Sequence, residues 1–196
     1  MQLFRIPTIA KDLHKEAYTA LGQGDLSSLQ ADHKVCSGML GSMYKRISTR
    51  PANTALKWTL HKYISSPKTV SYKAALLTRP DKDNPANGMI QVTVRIHSLQ
   101  SLQHVKRISY RQDGKMFTRE VPLDSQGQEM PNEPLASVAN VPKNAKELVE
   151  YIVIQKQLKA GKEGQWMLWG TAEETTLAKI ERDERSPQRG VVQGQL

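Results

Sequence analysis

Apolar positions recur at steps of three and four over the first third of the chain, then change to steps of two. Ile9, Leu13, Ala17, Ala20 and Leu21 mark one face of a helix, and Pro7 suits its first position. Gly22 and Gly24 end it. Asp25 is a candidate N-cap for a short turn carrying Leu26 and Leu29. From Asp32 a wider stripe follows, Val35, Met39, Met43 and Ile47, flanked by Cys36, Leu40 and Tyr44 and ended by Pro51. Methionines in such a stripe can ligate soft metals, but flexible thioethers also fill irregular core space, and core packing is the preferred reading.

Beyond Asn53 the period shortens. Residues 55–64 fit a helix through Leu56, Leu60, Tyr63 and Ile64, and a strand through Leu56, Trp58 and Leu60; the strand is preferred. Residues 68–78, with Val70 and Tyr72, read as a strand, and Asn84-Pro85-Ala86-Asn87-Gly88 as a turn. Ile90, Val92, Val94 and Ile96 then alternate with Gln91, Thr93, Arg95 and His97, the pattern of a half-buried strand. It is expected to continue, through a bend, to Leu102 and Val105. Four prolines among Glu, Gln, Ser and Asn make residues 122–142 a long insertion. Residues 148–158 form another strand, with Tyr151 and Val153 on one face and Ile152, Ile154 and Leu158 on the other. Gly161 and Gly164 bracket a hairpin turn into residues 165–171, which carry Trp166 and Trp169.

Helices followed by long antiparallel strands, without βαβ alternation, predict an α+β domain. Its expected form is a cone, the N-terminal helices packed in a curved antiparallel sheet. Residues 1–176 are read as this one domain and residues 177–196 as a polar tail. A single cysteine, Cys36, excludes an intrachain disulfide. No apolar run reaches the roughly 18 residues that a membrane-spanning helix needs. Asp12 and Glu16 follow the mixed opening residues, which argues against an acid-poor transit peptide.

Charge sharpens the picture. Between His33 and Gln112 lie fourteen Lys or Arg and two acids, Asp81 and Asp83, a balance of +12 within a chain whose net charge is +9. The positive excess therefore sits wholly in one block, the footprint of a phosphate-facing surface on RNA or anionic lipid. The bland alternative is a solvated face. Lys45, Arg46 and Arg50 cluster at the end of the third helix; Lys57, Lys62, Lys68 and Lys73 follow on the first strands, then Arg79, Lys106 and Arg107. Lys57 and Lys62 flank Trp58 and precede Tyr63, an interleaving that suits stacking on unpaired bases, although Trp58 also reads as core.

Catalytic chemistry finds less material. Cone folds that act as enzymes need an Asp, or an Asp–His pair, projecting from a strand into the cavity. The strands read between residues 55 and 105 carry no Asp or Glu, and Glu147, Glu150 and Asp113 are placed at element ends or in turns. The histidines, His14, His33, His61, His97 and His104, offer no local metal pair. His97, on the polar face of the strongest strand, fits a hydrogen-bonded structural histidine better than a general base. Cys36 reads as a small core residue. The expectation is a binding protein without catalytic, metal or cofactor site, and without a small-molecule substrate.

Three segments carry a resemblance. Gln91-Val-Thr-Val-Arg-Ile-His-Ser-Leu-Gln-Ser-Leu102 closely resembles a strand of the mitochondrial large-subunit ribosomal protein family numbered forty-five. Glu147-Leu-Val-Glu-Tyr-Ile-Val-Ile-Gln-Lys-Gln-Leu158, followed by a Gly-containing turn and Gln165-Trp166-Met167, resembles its next hairpin, and Lys57-Trp58 through Pro67-Lys-Thr-Val70 also fits. The likeness covers about residues 11–171. That family is similar to the C-terminal domain of the import-motor subunit TIM forty-four, with a nuclear-transport-factor-two-like cone. The resemblance implies a place on the large mitoribosomal subunit near the polypeptide exit, in the matrix at the inner membrane. It implies contacts to ribosomal RNA and neighbouring ribosomal proteins, with anionic lipid or insertion machinery close by. The alternative it leaves open is an inner-membrane import or tethering factor that binds anionic lipid. The chain departs from the family pattern in its lengthened insertion at 122–142.

Overall fold

Pro7 lies in the first turn of the longest helix, α1 (Ile6–Gln23), where its missing N–H breaks no helical bond. The stripe Ile6, Ala10, Leu13, Ala17 and Ala20 is buried. Gly24 ends the helix in the left-handed region, φ 80°, its N–H donating to the Ala20 carbonyl. The computed structural model that shows this describes residues 3–77 and 87–173. In α2 (Ser27–Ala31) Leu29 is buried, and Asp25 accepts the Ser27 N–H at 2.9 Å, one residue ahead of the N-cap position. The third helix, α3 (Ser37–Ser48), starts later than its stripe suggests. Val35 precedes it and bridges Leu168, while Cys36 is the N-cap residue, its thiol 3.2 Å from the Trp169 carbonyl oxygen. Cys36 is thus a half-buried junction residue, not part of the helical core.

The rest is antiparallel sheet: β1 (Thr54–Leu76), β2 (Gly88–Gln112), β3 (Lys115–Pro122), β4 (Lys146–Lys159) and β5 (Lys162–Ala172). The order is β1-β2-β4-β5. β4 pairs β2 as far as Gln100, and β3 pairs it from Val105 to Gln112, on the edge opposite β1. β1 continues through Pro67 because register shifts on both sides of Ser65 absorb a residue that has no N–H to donate. Asp113 and Gly114, both with positive φ, make a tight hairpin turn, and so do Ala160 and Gly161.

The expected α+β cone is therefore corrected. Strand makes up 52 % and helix 23 % of the fold, so it is predominantly antiparallel sheet and not a set of helices enclosed by one. Lengths explain this. A 25-residue strand such as β2 runs about 80 Å if extended, whereas the 18-residue α1 spans about 27 Å. The core is concentrated where α1 reaches the middle strands: Val92, Val94, Ile96, Ile152, Ile154 and Leu168 are buried with the α1 stripe. At Gly22 the approach is so close that a Cβ would lie 2.6 Å from the Leu56 carbonyl oxygen.

The proline-rich stretch 122–142 has no regular structure but is tied down. The Ala136 N–H donates to Gln103 Oε1 at 2.9 Å, and the Leu123 N–H to the His104 carbonyl at 2.9 Å. It borders the sheet face opposite α1, where Ala55, Ser101, Gln103 and Val105 are buried. The tail 177–196 lies outside the described residues, as does most of the turn read at 84–88.

Candidate functional site

Cross-strand partners in an antiparallel sheet share a face, so the register assigns each side chain. Val92, Val94 and Ile96 of β2 face α1; Gln91, Thr93, Arg95, His97 and Leu99 face the other way. Opposite these lie Lys73 across from Gln91, Lys68 from Arg95 and Lys62 from Leu99. On the far side, Arg95 faces Tyr151 and Leu99 faces Glu147. The outer face thus carries a row Lys68–Arg95–Tyr151, with Lys73 and Lys62 to either side along β1. Lys62, Lys68 and Lys73 are exposed, and none of these four cations has a carboxylate within ion-pair distance among the described residues. The nearby acid, Glu147, is taken by His97, whose Nε2 is 2.5 Å from Glu147 Oε1.

The other cations of the basic block lie elsewhere. Arg50 donates to the Leu21 and Gly22 carbonyls at 2.7 and 3.2 Å, closing the end of α1. Lys57 is 3.9 Å from Glu120, Arg107 donates to Glu120 and to the Gln23 carbonyl, and Lys106 donates to Glu129 at 2.7 Å. Lys45 and Arg46 are exposed at the end of α3, away from the outer face. Arg79 lies outside the described residues. Sequence reasoning put Arg95 on the polar face of its strand and Tyr151 on one face of the next, but counted neither among the phosphate-binding residues. Their signal was available: each is an out-pointing residue of an alternating strand.

On the α1 side an open groove of about 910 Å³ lies between α1, α3 and the sheet. Leu21, Leu56, Trp58, Leu102 and Leu148 give it apolar walls, and Arg46 and Lys146 stand among its lining residues. It also holds a carboxylate that sequence reasoning placed at an element end. Glu150 lies within β4 opposite Ile96, hence on the α1 side, with 17 % of its side chain exposed. It takes three donors, two from α1 and one from β2. Tyr18 Oη donates to Oε1 at 2.7 Å, Gln100 Nε2 to Oε2 at 2.5 Å, and His14 Nε2 is 3.1 Å from Oε2. Trp58 Nε1 in turn donates to Gln100 Oε1 at 2.7 Å.

Burial works to raise the Glu150 pKa, but the bonds from His14, Tyr18 and Gln100 outweigh it and hold the carboxyl below its ordinary value. Burial first, and then the Glu150 charge, push the Tyr18 phenol up. With the carboxylate ionised, His14 donates from Nε2, and its Nδ1 is buried without a partner. Glu150 is an engaged acceptor. A general acid would need a raised pKa, and a general base would need a free lone pair aimed at substrate. The group clamps α1 to β1, β2 and β4.

Among the described residues no cluster of three or more His, Cys, Asp or Glu is placed to hold a metal ion, and no helix is long and apolar enough to cross a membrane. These features define an elongated antiparallel-sheet protein with one open cationic face. A model of the MBA1-like protein family matches residues 10–121, more than half of the chain, which belongs to that family. The family is a mitochondrial-associated one, and the chain is accordingly a mitochondrial protein. The match takes in α1 to β3 and stops before β4. No curated protein matches the chain.

Proposed function

We propose that this chain is a component of the mitochondrial large ribosomal subunit, of the ribosomal-protein-forty-five kind, that holds ribosomal RNA phosphates on its outer sheet face. The carrying observation is the placement of Lys62, Lys68, Lys73 and Arg95 on that face without carboxylate partners among the described residues. Cations spread along two neighbouring strands suit a polyanion better than a single small anion, and such contacts read backbone and shape instead of sequence. The likeness of residues 91–102 and 147–158 to the ribosomal family favours RNA over lipid as the polyanion. On this reading the protein works in the matrix beside other ribosomal proteins, near the polypeptide exit, and helps hold the ribosome at the inner membrane. In gradients of lysed mitochondria the native protein sediments with the large subunit and crosslinks to its RNA through β1 and β2. Sedimentation free of ribosomes would sink the proposal.

A second reading, an inner-membrane tethering or import factor that binds anionic lipid, is favoured by the groove, whose apolar walls carry Arg46 and Lys146. Flotation with anionic liposomes, in a protein that gives no RNA crosslinks, decides for it.

A further inference from the structure

The β2–β3 hairpin outruns the rest of the sheet. β1 pairs β2 only as far as Lys106, and β4 only as far as Gln100, so residues 108–119 form a two-stranded arm. Almost all of it is exposed, including Tyr110, Met116 and Phe117. An isolated ribbon gains little by exposing large apolar side chains, and two-stranded hairpins are marginal in water.

The placement of those side chains is specific. Tyr110 and Phe117 face each other across the strands, their ring centroids 5.8 Å apart and their planes 23° from parallel. Side chains two residues apart share a face and step about 7 Å along a strand. On the face of the rings, Phe117 is therefore flanked by Lys115 on one side and Arg119 on the other. Arg111, on the opposite face beside Met116, is a third exposed cation, against one acid, Asp113, at the turn. None of the three cations has an ion-pair partner among the described residues.

We infer that this arm binds unpaired, single-stranded RNA. Tyr110 and Phe117 supply the stacking surface, while Lys115 and Arg119 meet the phosphates on either side. The inference rests on the RNA-binding reading above and locates a second contact within it. A step of about 7 Å between cation and ring matches the stride of an extended strand, and base–aromatic stacking tolerates any sequence. A bilayer fits less well. The tip, Gln112 to Lys115, is polar and carries Asp113, and the apolar side chains sit behind it on both faces, so insertion would bury the carboxylate first.

The test uses the full chain, with a fluorescent single-stranded oligoribonucleotide of about ten nucleotides, an RNA duplex, and anionic liposomes. Tyr110→Ala with Phe117→Ala is expected to weaken single-strand binding about tenfold or more. Duplex binding, carried by Lys62, Lys68, Lys73 and Arg95, stays within about twofold, which also shows that the variant is folded. Lys115→Ala with Arg119→Ala is expected to weaken single-strand binding and flatten its salt dependence by about 1.4 in slope. Unchanged single-strand binding in both variants overturns the arm while leaving the sheet face standing. Loss of liposome flotation with RNA binding intact reassigns the arm to membrane. A wild-type chain that binds neither RNA overturns both readings.

Discussion

Replacing Glu150 with Gln tests the clamp that joins α1 to the sheet. The change keeps size and shape but removes the charge and turns one oxygen into a donor. Bonds to an ionised acceptor contribute about 1.5–3 kcal/mol each, against about 0.5–1.5 for neutral ones, so three donors lose about 1 kcal/mol apiece. His14 offers no relief. Its Nε2 can accept from the new amide only if the proton moves to Nδ1, which is buried without a partner. The expected loss is thus about 3 kcal/mol at neutral pH. Because the folded pKa lies below the unfolded one, the wild-type advantage is complete above the ordinary Glu pKa, about 4.3. It fades as pH falls through the folded value. Urea unfolding of both proteins over a pH series, followed by tryptophan fluorescence, measures the gap. A difference below about 0.5 kcal/mol, or one that does not narrow on acidification, would refute the clamp.

Two further substitutions separate architecture from binding. Gly22→Ala drives a methyl group into the Leu56 carbonyl, 2.6 Å from the ideal Cβ, and should lower stability by about 1–3 kcal/mol in thermal or urea melts. Arg50→Ala removes both side-chain bonds to the end of α1, which should lower stability by about 1–2 kcal/mol. Its RNA affinity should keep the wild-type salt dependence, whereas a phosphate-binding Arg50 would flatten it.

Much of the architecture is legible wherever period and punctuation agree. The alternation from Ile90 to Ile96 gives the buried face of β2 directly, and Gly24 and Pro51 lie just beyond the ends of α1 and α3. Pro67 conceals the unity of β1, because a proline within a strand normally argues for a break and only the partner strand can show the bulge. β3 is concealed by its mixed, exposed residues, although Asp113-Gly114 is itself a hairpin signal. β3 and the continuation of β2 from Val105 to Gln112, neither read from the sequence, account for much of the underestimate of sheet. Charge count identifies the basic block but not which cations are free. Arg50, Lys57, Lys106 and Arg107 lie in the same stretch as Lys62, Lys68 and Lys73, yet they meet carbonyls or carboxylates brought in from distant elements. Glu150 shows the same limit: one acid in a strand reveals its role only once His14, Tyr18 and Gln100 are folded around it.

The outer face is tested most directly by the salt dependence of RNA binding. With Lys62, Lys68, Lys73 and Arg95 all changed to Ala, the slope of log affinity against log salt should shrink by about 3, since each phosphate contact contributes about 0.7–0.9. A variant that unfolds like the wild type in urea but keeps the wild-type slope would contradict the assignment of that face to RNA.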